Sequence, residues 1–269
     1  IVYSIIALLV ASVLFPGDPA LVAVAFTSML LLPEMYKIFS IEERQQSMEQ
    51  KVSLVGLWRD DIEVVRIYLF LFLGIILVYS VGAMALDTFQ TNSLFREQME
   101  IRFCNGQNCD LNAVSGQAIA GQATSGIFGS KLFLDLLSNN FLVLLACFIL
   151  ALLAGDGAIF FITWNASVWG AVYGWIVRAQ PSGRFEYGAK LLGVVAPHVC
   201  LEAAGYVLAA LAAIFVSKAM AKYGLETSTF RRVAWAAAQL LLLGVALLAA
   251  AAWVEAVWTP RIARLVFGS

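Results

Sequence analysis

The chain holds a single histidine, His198, among 269 residues, and only 13% of its side chains are charged. One imidazole cannot supply the His-Glu-x-x-His arrangement of a zinc peptidase, and any nucleophilic triad would have to use this same residue. Neither sign of charge prevails, since 17 Lys and Arg face 18 Asp and Glu. The basic field that a nucleic-acid partner needs is therefore missing. No glycine-rich phosphate loop follows a strand pattern, so nucleotide hydrolysis has no support. The chain opens at Ile1 inside an apolar run, without an initiator Met, a basic leader or a small-residue cleavage site. It does not read as a signal peptide, and native sequence is expected ahead of it.

Hydrophobic surface is what the chain has in abundance. Apolar residues make up 61% and mean hydropathy is +0.85, which lies outside the range of soluble domains and predicts an all-α, polytopic membrane protein in contact with a lipid bilayer. A bilayer crossing needs about 20 apolar residues. Runs of that kind predict seven spans, near 1–15, 20–39, 67–86, 141–155, 158–178, 190–217 and 233–258. They divide the chain into an N-terminal hairpin with a polar helix (1–66), a third span with an external loop (67–130) and a core of four membrane helices (131–269). The fourth run is short, bounded by Ser138, Asn139 and Asn140 and by Gly155-Asp156-Gly157. It is either a broken helix or an ordinary span fed by an interfacial stretch from Lys131 to Asn140.

Two polar segments interrupt the spans. Ser40 to Glu43 has the form of a capping box, which predicts a new helix running to Arg66 that lies on the membrane with Trp58 at headgroup level, or else a partner-docking surface. Cys104 and Cys109, five apart around an Asn105-Gly106 turn, suit a small disulfide loop in an oxidising compartment. Two cysteines are too few for a structural zinc site, and neither a metal nor a cofactor is expected. Cys147 and Cys200 fall inside spans and read as small core residues. If the cysteine loop is external, the N-terminus is inside. The basic residues barely discriminate, with nine inside and eight outside.

Asn165, His198 and Glu202 are the costly groups, because hydrocarbon does not tolerate amides, imidazoles and carboxylates without partners. His198 and Glu202 are four apart and share a helical face with Gly205 and Tyr206. Pro197 ahead of them can bend the helix. Glu202 must be protonated, paired or beside water, and two readings stand: a hydrogen-bonded pair that fixes packing, or a proton or ion relay. Asn165 lies beside a ridge of Ala166, Gly170 and Gly174 suited to close helix contact or a homo-oligomeric helix pair. Asn140, Asp156 and Glu255 are secondary candidates, with Glu255 near the interface between Trp253 and Trp258.

Ser138-Asn139-Asn140-Phe141, Gly155-Asp156-Gly157-Ala158-Ile159-Phe160, Trp164-Asn165-Ala166-Ser167-Val168 and Pro197-His198 followed by Glu202 together resemble the stage II sporulation protein M family of prokaryotic membrane proteins, most of all its archaeal branch. The resemblance covers about 130–258, with a weaker likeness in the first two spans and around Pro33-Glu34 and Glu42-Glu43. Val199 stands where the family often has Gly. The resemblance implies a non-enzymatic scaffold or assembly subunit that holds other envelope proteins in the cell membrane. The intramembrane His198 and Glu202 keep a transporter or channel open as the alternative. An intramembrane hydrolase has only one His to draw on.

Overall fold

The computed structural model describes residues 1–17, 19–48, 54–103, 130–180 and 183–267, with the side chains of 38–64 and a few others outside that description. Helices account for nearly all of it, and the described residues contain no strand. In chain order they are α1 (Val2–Leu14), α2 (Pro19–Met48), α3 (Leu54–Ala85), α4 (Thr88–Leu94), α5 (Arg96–Phe103), α6 (Ser130–Ala154), α7 (Ile159–Arg178), α8 (Arg184–Tyr223), α9 (Ser228–Trp253) and α10 (Thr259–Phe267). A 3-10 turn, Asp156–Ala158, joins α6 to α7, and a π turn, Val254–Trp258, joins α9 to α10.

Five of the described helical stretches are long and apolar enough to cross a membrane: Pro19–Lys37, Val65–Ala85, Leu132–Ala154, Arg184–Tyr223 and Ser228–Phe267. The expected seven are not confirmed. Val2–Leu14 has 13 residues, and Ile159–Arg178 has the length but is diluted by Thr163, Asn165, Ser167 and three tryptophans. α8 is the axis of the bundle. Its 40 residues reach about 60 Å, twice the roughly 30 Å hydrocarbon core, and its middle is the most buried stretch of the chain. α9 packs along α8 most extensively, α6 lies on its other flank, and α7 is sandwiched between α8 and α3.

Backbone proximity of small residues sets these contacts. Gly170 and Gly174 lie so close to α3 that a Cβ on Gly170 would sit 2.7 Å from Ile76 O, and one on Gly174 would overlap Ser80 O and come within 2.8 Å of Ala83 Cβ. Ser80 Oγ then donates to Gly170 O at 3.0 Å. The rising numbers on both helices mean that α3 and α7 run parallel. Gly205 of α8 and Gly244 of α9 meet similarly, each Cβ position being 3.0 Å from the other's carbonyl oxygen. The ridge expected to suit a second copy of the chain is filled within the molecule by α3.

Four local expectations change. Ser40 caps no new helix: α2 runs through it to Met48 and α3 begins at Leu54, so the polar segment is divided between extensions of two spans. α6 passes unbroken through Ser138, Asn139 and Asn140, which places these polar residues inside the span. The connection after α3 turns back into the protein, because Thr91, Phe95, Gln98 and Met99 recur on one helical face and are all buried. Arg178 at the end of α7 donates to Thr91 Oγ1 at 2.9 Å, while Gln98 Nε2 reaches Ser167 Oγ at 3.3 Å, about three turns further down α7. Cys104, Cys109 and the loop to 129 lie outside the described residues. Cys147 is in the core, but Cys200 faces outward, on the side of α8 away from its neighbours.

Candidate functional site: a polar cluster across four helical elements

α8 brings His198 and Glu202 to one face, one turn apart, at 1% and 4% exposure. Helical spacing stacks the two residues, and both reach other helices. Glu202 Oε1 accepts from Asn140 Nδ2 of α6 at 2.6 Å, and Oε2 accepts from Trp169 Nε1 of α7 at 3.4 Å. A single carboxyl group thereby ties three helices together. Asn140 is oriented in turn by Asn139, whose Nδ2 donates to Asn140 Oδ1 at 3.4 Å.

His198 shares Trp169 with Glu202 and has a further partner of its own. Its Nδ1 lies 3.2 Å from the hydroxyl of Thr259, and its ring meets the Trp169 indole edge-on with centroids 5.2 Å apart. Thr259 comes within reach because the π turn widens the helix between α9 and α10; such turns recur at functional sites. The same turn carries Glu255, half-buried, between Trp253 and Trp258, whose rings are 6.5 Å apart. Tyr206, one turn beyond Glu202 and 1% exposed, lies within electrostatic reach of Glu202, Cys147 and Glu255. Its hydroxyl finds no hydrogen-bond partner among the described residues.

The remaining candidates lie elsewhere. Asn165 Nδ2 donates to Phe161 O of its own helix at 2.9 Å, so this amide closes a local bond instead of joining the cluster. Its neighbour Ala166 is the residue that faces the core. Asp156 opens the 3-10 turn between α6 and α7, and its side chain is outside the description. The described residues contain no group of three His, Cys, Asp or Glu able to hold a metal ion.

Sequence reasoning missed Trp169 and Thr259. An indole N–H buried in a bundle needs an acceptor, and a tryptophan next to the Gly170 contact was the available signal. Thr259 had none, since only the π turn brings it to His198.

The cluster draws on residues from Asn140 to Thr259, and a family model described as stage II sporulation protein M matches residues 21–260. The chain belongs to the SpoIIM family. The matched region contains every residue of the cluster, both glycine contacts, three of the five stretches able to cross a membrane and most of the other two. No curated protein and no solved structure matches the chain. As a SpoIIM member with several apolar helices, the protein is a multi-pass membrane protein.

Proposed function

We propose that this SpoIIM chain is a non-enzymatic scaffold or assembly subunit in a prokaryotic cell membrane, of the archaeal type, that holds other envelope proteins. The observation that carries this reading is the way Glu202 is used. Both of its oxygens accept bonds from neighbouring helices, and the group is buried among them. A carboxyl group committed to Asn140 and Trp169 works as a clamp that fixes helix positions, which is what a rigid platform needs. Two cavities lie away from it, one beside Ile1 and Phe70 and the other between α1 and α3. The helical extensions of α2 and α3 beyond their apolar spans, rich in Glu, Asp and Arg, are the stretch proposed to meet partners.

The test compares two variants of the full chain in native membranes. Replacing Glu42, Glu43, Arg44, Arg59, Asp60 and Asp61 with Ser is expected to remove co-purifying envelope proteins while the melting curve of the bundle stays in place. Glu202→Gln is expected to leave partner capture intact.

One observation favours the transport reading: the π turn sets Glu255 and Thr259 next to the His198, Glu202 and Tyr206 face. Under that reading Glu202→Gln abolishes proton or ion flux in vesicles without lowering stability.

A further inference from the structure

α1 and α3 barely touch, and between them a cleft of about 500 Å³ opens toward the surrounding medium. Its floor is Leu8, Val78 and Phe95, all buried, and its walls are the outward-facing Ile5, Leu9 and Val81. The character changes at one end. There Ser12, Gln90 and Ser93 form a polar rim, close to where the apolar span of α3 finishes at Ala85. Phe95, between α4 and α5, is set into the floor against α3; its ring lies 5.6 Å from that of Tyr79, and Gly82 leaves room for it, a Cβ there being 3.2 Å from the ring.

We infer that this cleft is a binding site for one acyl chain of a membrane lipid, with the lipid's polar end at the Ser12, Gln90 and Ser93 rim. Size decides between the occupants a bilayer offers. A transmembrane helix is about 10 Å across even when its side chains are small, so a 500 Å³ space is filled by little more than one turn of it. A slender hydrocarbon chain fits along the whole slot. Volumes of roughly 300–1,000 Å³, apolar walls and a few convergent polar groups are the general properties of small-ligand sites. Water is a poor occupant, since the floor and walls offer it almost no hydrogen-bond partners. The pattern of an apolar slot capped by hydroxyl and amide groups at span-end depth matches a lipid's own division into tail and head.

The test uses the full chain in nanodiscs of phosphatidylcholine carrying a photoactivatable diazirine on one acyl chain, with labelled residues mapped by mass spectrometry. Leu242 and Leu153 are outward-facing residues remote from the cleft and report ordinary lipid contact, being 70% and 77% exposed. Labelling of Leu9 and Val81 is expected to exceed theirs by about tenfold, the ratio set by a preference of about 1.4 kcal/mol. Ala85→Phe, at the cleft's outer wall, is expected to bring the cleft labelling down to that of Leu242 and leave Leu242 unchanged. Equal labelling of all four residues in the unaltered chain overturns the proposal, and so does a cleft signal that Ala85→Phe leaves in place while the variant melts normally. Labelling displaced by a co-purified protein segment cross-linked to Val81 also overturns it, in favour of a protein occupant.

Discussion

The bond between Asn140 and Glu202 gives the sharpest energetic prediction. Asn140→Ala removes the donor at 2.6 Å and leaves Glu202 Oε1 without that partner at a site only 4% exposed. Orphaning a buried acceptor costs about 1–3 kcal/mol in general. Interhelical bonds in membranes average nearer 0.6 kcal/mol with a ceiling of about 1.7, because the unfolded helices find other partners in the bilayer. A cost of about 1–2 kcal/mol is the expectation. Glu202→Leu leaves Asn140 Nδ2 and Trp169 Nε1 both without an acceptor and is expected to cost as much or more. Glu202→Gln is the informative contrast. Its carbonyl oxygen can still accept from Asn140, but its amide nitrogen meets the Trp169 N–H donor to donor, so only the longer 3.4 Å bond is lost. The loss is expected to stay below about 1 kcal/mol. Reversible unfolding in mixed detergent micelles measures each variant and the Asn140→Ala, Glu202→Leu double variant. The double variant should fall short of the summed single losses by about 1 kcal/mol or more. Additivity within about 0.3–0.5 kcal/mol means the two residues do not interact, and the clamp reasoning is refuted.

Gly174→Val should be among the most damaging substitutions in the protein, at about 1–3 kcal/mol or more, because its side chain meets the Ser80 carbonyl and Ala83 of α3 and backbone cannot yield cheaply; thermal melting with a fluorescent thiol probe on Cys147 reads the loss. Gly244→Leu is expected to separate α8 from α9 by a similar mechanism, lowering the melting temperature, whereas Gly193→Leu, where a Cβ meets nothing within 4 Å, should leave it unchanged. Thr259→Val keeps the shape and removes the hydroxyl that faces His198; a loss of about 0.5–1.5 kcal/mol is expected in the same unfolding assay. Lys37→Ala breaks an exposed pair with Glu34, a loss that should shift stability by less than about 1 kcal/mol.

Composition and run length revealed an all-α membrane bundle, because hydrocarbon forces the backbone to satisfy itself within helices. The face shared by His198, Glu202, Gly205 and Tyr206 was legible for the same reason that a helix has a period. What lay across from that face was not, since contacts between helices depend on packing that no local pattern encodes. Asn165 illustrates the difference: it looked as costly as Glu202, yet its amide bonds to Phe161 O on its own helix. Ser40 misled for another reason. A capping-box pattern states a preference for starting a helix, but α2 continues through it. The return of α4 and α5 into the bundle was encoded in the spacing of Thr91, Phe95, Gln98 and Met99, which the polar residues between them obscured.

A structure of the full chain in lipid, at a resolution that shows ordered water, tests the central claim most directly. The account predicts that Glu202 bonds directly to Asn140 and Trp169 and that His198 faces Thr259, with no file of water leading from the cluster to either surface. A continuous line of water from Glu202 or His198 to one side of the membrane contradicts the clamp and makes the cluster a conduction path.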